Sequence, residues 1–456
     1  MFGGAPVKNL LPEAARRAEV YLSNVNRRRV AATLEEVARL EHLAQPLPDE
    51  PTDPREVLAL LDDYGSPATV ASSGGRYFGF VTGGTLPASL AANWLAAAWD
   101  QNCAFRVMSP AASRLEEIAS DWLRDIFGLP AQSGCGFVTG ATMANFGGLT
   151  AARHALLARA GWNVEEHGLF GAPEVKVIVG AEVHISLLKA LSLVGFGKAR
   201  VTPVPADDQG RMRADHLPAF DDRTVICIQA GNVNSGAFDP AAEICARAHE
   251  KGAWVHVDGA FGLWAAATPA HRHLAAGVAE ADSLATDCHK WLNVPYDCGL
   301  TFVRDASHLH NAMTFNAAYL QTTGGREPSH FTPESSRRAR GVEVWAALRS
   351  LGRKGLAEMI ERNCRQAACF AEGLRSAGFR ILNDVVLNQV LVSFGTDIQT
   401  ERVIDEVQKD GTCWCGGTQW NGQTAMRISV SSWATTDDDV HQSLEAMVRI
   451  AKRVVN

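Results

Sequence analysis

A lysine in an apolar run carries the first chemical signal. In "TDCHKWLNVPYDCG", residues 286–299, Lys290 stands between a histidine and a tryptophan with few other charges nearby. Apolar surroundings disfavour an ammonium, so such an amine can serve as a nucleophile toward a carbonyl. A lysine that snorkels to water or binds an anion by charge alone would look the same. Upstream, "AWVHVDG" ends in Asp258. A carboxylate at the end of a buried strand needs a partner. A protonated heterocyclic nitrogen is one, and the next turn is another. Ala260 is small enough to let a flat ring lie close. Earlier still, "TGATMAN" sets Gly140, Ala141 and Thr142 where a strand turns into a helix. Small residues at a helix N-terminus suit an anion, and the threonine adds a hydroxyl, although an N-capped tight turn reads alike. The turn is neither GxGxxG nor a P-loop. An anion-binding turn, an acid for a ring nitrogen and an amine for an imine are together the protein groups that pyridoxal 5'-phosphate requires.

The surrounding pattern places each of these at a strand end. From residue 110, "SRLEEIASDWLRDIFG" reads as an amphipathic helix. Apolar strands then alternate with helices: "CGFVTG", "VKVIVG", a strand near "RVTPVPA", "TVICIQA", "AWVHVDG", "SLATDC" and "GLTFVRD". This order predicts a mostly parallel sheet covered on both faces, with ligands beyond the C-terminal strand ends. Residues 1–60 read as a helical arm with little core of its own, 61–310 as the large α/β domain, and 311–456 as a loop followed by a smaller α+β domain. The stretch 320–341, long, polar and aperiodic, reads as a lid or disordered segment. "VEVWAALRSLGRKGLAEMIERNCRQAACFAEGLRSAG" reads as two helices.

The composition limits the partners. The chain has 456 residues, 46% hydrophobic and 20% charged, with a net charge of −7. That is enough apolar material for more than one core, and the charge argues against nucleic acid or anionic membrane. The uncharged run 77–99 is broken by Gly83, Gly84 and Pro87, so it predicts a buried loop and core helix rather than a membrane span. The start becomes charged at once, unlike a signal peptide, and the ten irregularly spaced cysteines suit a reduced, cytoplasmic protein. "CWC" at 413–415 is not a zinc motif, and no metal is expected.

"DCHKWLNVPYDCG" resembles the lysine motif of the group II pyridoxal phosphate-dependent decarboxylases, which include aromatic-L-amino-acid, glutamate and cysteine sulfinate decarboxylases. "MSPAASRLEEIASDWLRDIFGLP", "TGATMAN", "AEVHISLLKALSLVGFG" and "HVDGAFG" extend the resemblance from about residue 60 to the C-terminus. It implies an aspartate aminotransferase-like fold (fold type I) and a homodimer with sites at the subunit interface. It implies decarboxylation of an L-amino acid, aromatic by preference, to an amine and CO2 through a covalent imine with the cofactor. Lys290 would be the covalent anchor and Asp258 the partner of the ring nitrogen. His184 would stack on the ring, Ala260 would pack beneath it, and Ala141, Thr142 and His289 would contact the phosphate beside Gly140. Arg427 would meet the substrate carboxylate.

Three departures bear on the chemistry. "GNVNSG" replaces a glycine-threonine-threonine run of many relatives, leaving Asn232 to donate to the cofactor. Asp287 stands where several relatives have asparagine; a carboxylate beside a phosphate would repel it, so it is expected to point away, be protonated or act through water. The loop "GREPSHFTPESS" lacks the tyrosine that relatives use as proton donor, leaving His330, or Tyr319 upstream, to protonate Cα. Without that proton the reaction would divert to oxidative deamination, and retro-aldol cleavage is a further alternative. A pyridoxal-binding regulator would need a basic DNA-binding module, which the first 60 residues lack.

Overall fold

The computed structural model describes residues 7–315 and 325–455. A seven-stranded sheet forms the large domain: β1 Gly134–Val138, β2 Lys176–Gly180, β3 Val201–Val204, β4 Thr224–Gln229, β5 Trp254–Asp258, β6 Ser283–Asp287 and β7 Gly299–Val303. Their spatial order is β1-β7-β6-β5-β4-β2-β3. The β3, β2, β4, β5 and β6 pairings are parallel; β7 alone runs antiparallel, to both β6 and β1. β1 therefore points the same way as β5 and β6, and their C-terminal ends share one edge. The predicted fold, strand for strand, is the one observed.

Period-two alternation divides the apolar residues between two faces. Val177, Val179, Val225 and Cys227 pack with Leu149, Leu156 and Leu191 on one side. Ile178, Ile226, Ile228, Val255 and Phe302 pack with Leu123, Phe127 and Trp264 on the other. Both layers are buried, which locks the register, because a one-residue slip would exchange the faces.

A four-stranded sheet, ordered β10-β11-β9-β8, forms the smaller domain: β8 Arg380–Ile381, β9 Gln389–Ser393, β10 Gly416–Trp420 and β11 Gln423–Ser429. The two helices expected after residue 341 form Gly341–Ser376, broken at Gly352, whose φ of 60° favours glycine. The run from 353 carries Leu356, Met359 and Ile360 into the large core and Phe370 and Leu374 into the small one.

Residues 325–340 differ from the expected lid. Arg337 and Arg326 both bind Glu116, at 2.6 and 3.1 Å, and Glu116 is fully buried in the helix Pro110–Phe127. Arg337 also donates to Phe137 O in β1, and Arg326 to Cys135 O. These ties explain how an aperiodic segment becomes ordered. Residues 320–324 of that stretch lie outside the described residues. Among the described residues no helix is long and apolar enough to cross a membrane.

Candidate active site

Each strand end at the shared edge contributes a functional group. Asp258 ends β5 and is 5% exposed. Its Oδ1 accepts the Ala260 N–H at 3.2 Å, and its Oδ2 accepts Asn145 Nδ2 at 3.1 Å. Burial pushes this carboxyl's pKa up, while the charges of His184 and Lys290 and the Asn145 bond oppose the rise. His184 follows β2 and caps the helix Ile185–Val194, accepting Ser186 N–H at 3.2 Å. Burial lowers its pKa against the attraction of Asp258.

Lys290 lies just beyond β6, its side chain 17% exposed, with Nζ 3.2 Å from Asp287 Oδ2. Gly83 is required here: a Cβ at that position would come 1.8 Å from the Lys290 carbonyl oxygen. The segment 77–84 thereby packs directly on the backbone of Lys290. His184, Gln229, Gly231, Val233, Asp258, Ala260, Phe261 and Lys290 line one cavity.

The anion turn is formed as read. Gly140 precedes the helix Ala141–Arg159, and a Cβ on Gly140 would stand 3.0 Å from His289 Cε1. Ala141 and Thr142 open that helix. His289 is 9% exposed and accepts Cys298 N–H on Nδ1 at 3.1 Å, so Nε2 carries the proton and faces the turn.

Arg427 on β11 points toward the same place. Its pKa is lowered by burial alone, and its guanidinium reaches only Val233 O at 3.3 Å and Asn234 Oδ1 at 3.4 Å. Among the described residues no carboxylate forms an ion pair with it. A desolvated cation without a counter-ion suits an anionic substrate group. Pyridoxal phosphate fits this set of residues: a cradle at Gly140 for its phosphate, Asp258 for its nitrogen and Lys290 for its aldehyde.

Two further expected residues have contacts of their own within the chain. Asn232 folds back into its own turn, where Oδ1 accepts from Asn234 and Ser235 N–H and Nδ2 sits near Gly210. Among the described residues that Nδ2, though buried, has no hydrogen-bond partner, so the amide keeps the donor that the expectation calls for. His330 is 8% exposed, and its ring meets Phe105, at 6.1 Å, and His310, at 5.1 Å; the charged neighbours acting on it are His310 and Glu327, not Lys290. The Arg326 and Arg337 anchors hold its segment against β1. Tyr319 lies outside the described residues.

Several groups escaped the sequence reading. Asn145 links Asp258 to a buried chain: Trp254 Nε1 donates to Ser283 Oγ at 2.8 Å, Ser283 Oγ bonds His256 Nδ1 at 2.8 Å, and His256 Nε2 bonds Asn145 Oδ1 at 2.9 Å. With Nδ2 of Asn145 donating to the acid, His256 must carry its proton on Nε2, so every donor points toward Asp258. Tyr296 stacks on His289 with ring centroids 4.3 Å apart. Trp414 stacks on Tyr77 and Phe80, at 5.1 and 5.4 Å, and Phe80 is 65% exposed. Asn145, Trp254, His256, Ser283 and Tyr296 stand inside the quoted stretches "TGATMAN", "AWVHVDG", "SLATDC" and "TDCHKWLNVPYDCG", but only the fold shows which of them meet.

Residues 42–396 match the family model described as the pyridoxal-dependent decarboxylase conserved domain. Tryptophan decarboxylase 1 of Oryza sativa subsp. japonica is 28% identical over 84% of this chain and 81% of its own. An L-2,4-diaminobutyrate decarboxylase of Acinetobacter baumannii is 26% identical over 78% of this chain and 74% of its own. The crystal structure of an Oryza sativa TDC with PLP and tryptamine superposes with a TM-score of 0.91, at 23% identity, covering 100% of this chain and 99% of that one.

Proposed function

This chain belongs to the pyridoxal-dependent decarboxylases, a family of pyridoxal phosphate-dependent carboxy-lyases, and on that footing we propose that its substrate is an aromatic L-amino acid, converted to the amine and CO2. The observation that carries the substrate reading is an aromatic group, Tyr77 and Phe80 on the segment that packs against the Lys290 backbone with Trp414 stacked on both. A partly exposed aromatic surface beside the site offers stacking to a ring. The likeness to a tryptophan decarboxylase over most of both chains supports the same reading.

Pyridoxal phosphate, when bound, supplies an aldehyde for the substrate amine and a conjugated ring that accepts electrons from a breaking bond. The chain's residues divide the remaining work. Asp258 holds a proton at the ring nitrogen, and the Asn145 amide keeps the carboxylate aimed. Lys290 would hold the aldehyde through its side-chain amine. His184 and Ala260, which line the same cavity, would pack against the ring. Arg427 binds the substrate carboxylate by charge and fixes which bond at Cα stands across the ring. The turn 140–142, with His289, seats the phosphate.

The absence of a tyrosine from "GREPSHFTPESS" favours a second reading, in which Cα goes unprotonated by this loop and an aldehyde forms by oxidative deamination. A panel of amino acids scored for CO2, amine, ammonia and peroxide decides between them. An aromatic substrate yielding CO2 and amine supports the first; ammonia with peroxide supports the second; activity confined to diaminobutyrate or glutamate removes the aromatic preference.

A homodimer in the cytoplasm completes the proposal. Leu11, Val20 and Leu22 on the helix Val7–Asn24, and Trp94, Leu95 and Trp99 on the helix Pro87–Trp99, are each more than 40% exposed. Such faces gain from burial against a second copy.

A further inference from the structure

Asp287 is the acidic residue at a position where asparagine is common, and it does not turn away from the anion turn. Its Oδ1 accepts the Ala141 N–H at 2.5 Å, the first N–H of the helix Ala141–Arg159. The same oxygen lies 3.5 Å from His289 Nε2, and Oδ2 lies 3.2 Å from Lys290 Nζ. The residue is 2% exposed. A Cβ on Gly140 would sit 3.3 Å from Oδ1, so the carboxylate also touches the turn's backbone.

A phosphate at this turn needs two of the same donors: the helix N–H groups and His289. Two anions would then share one buried set of donors. Like charges in contact cannot both stay ionised at no cost, and a shared proton resolves the conflict, as between two neighbouring carboxylates. The other groups facing Asp287 are Lys290 and His289 from its own segment, the helix N-terminus from the Ala141–Arg159 side, His184 from beyond β2, and the Tyr296 and Cys288 side chains. Among the described residues no arginine ion-pairs with Asp287; its basic neighbours are Lys290 and His289.

We propose that Asp287 makes the phosphate pocket proton-dependent. The phosphate monoester binds with one proton, drawn from solvent, held between it and the Asp287 carboxyl, and its arrival breaks the Asp287–Lys290 ion pair. No covalent bond changes in this step. The inference rests on the pyridoxal phosphate assignment and adds to it a cofactor affinity that falls as pH rises, by up to about tenfold per pH unit.

Pyridoxamine 5'-phosphate is the probe, because it has no aldehyde and cannot bond to Lys290. Calorimetric titration between pH 7 and 8.5, in buffers of different ionisation heat, gives its affinity and the protons taken up. The wild-type chain is expected to take up about one proton more than Asp287→Asn. The variant is expected to bind about tenfold tighter at the upper end, with a flatter pH profile. Pyridoxamine, which lacks the phosphate, is expected to bind the two proteins equally. Asp287→Ser provides the same comparison should the first variant fold poorly. Equal affinity and equal proton uptake in wild type and variant would overturn the inference while leaving the cofactor in place. Failure of both proteins to bind the probe would overturn the inference together with the cofactor assignment.

Discussion

Asn145 Nδ2 stands 3.1 Å from Asp258 Oδ2, across 113 residues of chain, and both are buried. The amide sits on the helix after β1 and the acid at the end of β5, so the bond ties the phosphate helix to the ring-nitrogen partner. Asn145→Ala removes a hydrogen bond to a charged group and leaves His256 Nε2 without its acceptor. A loss of about 10- to 100-fold in kcat is expected, with KM for the amino acid little changed, together with a stability loss of about 1–3 kcal/mol. Steady-state kinetics and urea unfolding measure the two effects separately.

Asp258→Asn replaces the acid by a group that cannot hold a cationic nitrogen. A fall of about 100- to 1,000-fold in kcat is expected, with the cofactor still attached to Lys290. Retained full activity in this variant would remove Asp258 from the chemistry.

Lys290 is tested by borohydride reduction and peptide mass spectrometry. The wild-type peptide spanning 286–299 is expected to gain the mass of the reduced cofactor, and Lys290→Ala to yield no labelled peptide. A label on any other lysine would relocate the anchor.

Glu116 neutralises two arginines at once, with Arg337 side chain 1% exposed. Glu116→Gln leaves a buried guanidinium unpaired, for an expected loss of about 3–5 kcal/mol. The tie to β1 weakens with it, so protease cleavage within 325–340 is expected to precede global unfolding. A variant as stable and as resistant as wild type would show the pairing to be incidental.

His256 gives the fold a pH dependence of definite sign. Complete burial lowers its pKa to about 3, below the ordinary 6.5. The unfolded chain therefore binds a proton that the folded one refuses. Its stability contribution is fully present above pH 6.5 and declines as pH falls toward 3, by about 1.4 kcal/mol per unit. Denaturant titrations at pH 7, 6 and 5 are expected to show that slope in wild type and a shallower one in His256→Gln.

The large sheet was legible because its strands are continuous apolar runs separated by helices, and because Lys290, Asp258 and the turn 140–142 fall at run ends. The contacts of Asp287 were not legible. Its partner Ala141 is 146 residues away, and only the parallel sense of β1 and β6 brings the two strand ends together. Polarity and missing periodicity made 320–341 read as a lid, whereas the residues that hold 325–340 lie on a helix more than 200 positions earlier. The geometry of Asn232 was not legible either: its Oδ1 closes the glycine-rich turn, and its Nδ2 is left buried near Gly210.

The unbroken helical rod from 353 to 376 places its first turns in one apolar core and its last turns in the other. Neither core can melt without exposing part of the same rod, so heating should produce one calorimetric peak where a pair of independently stable bodies would give two.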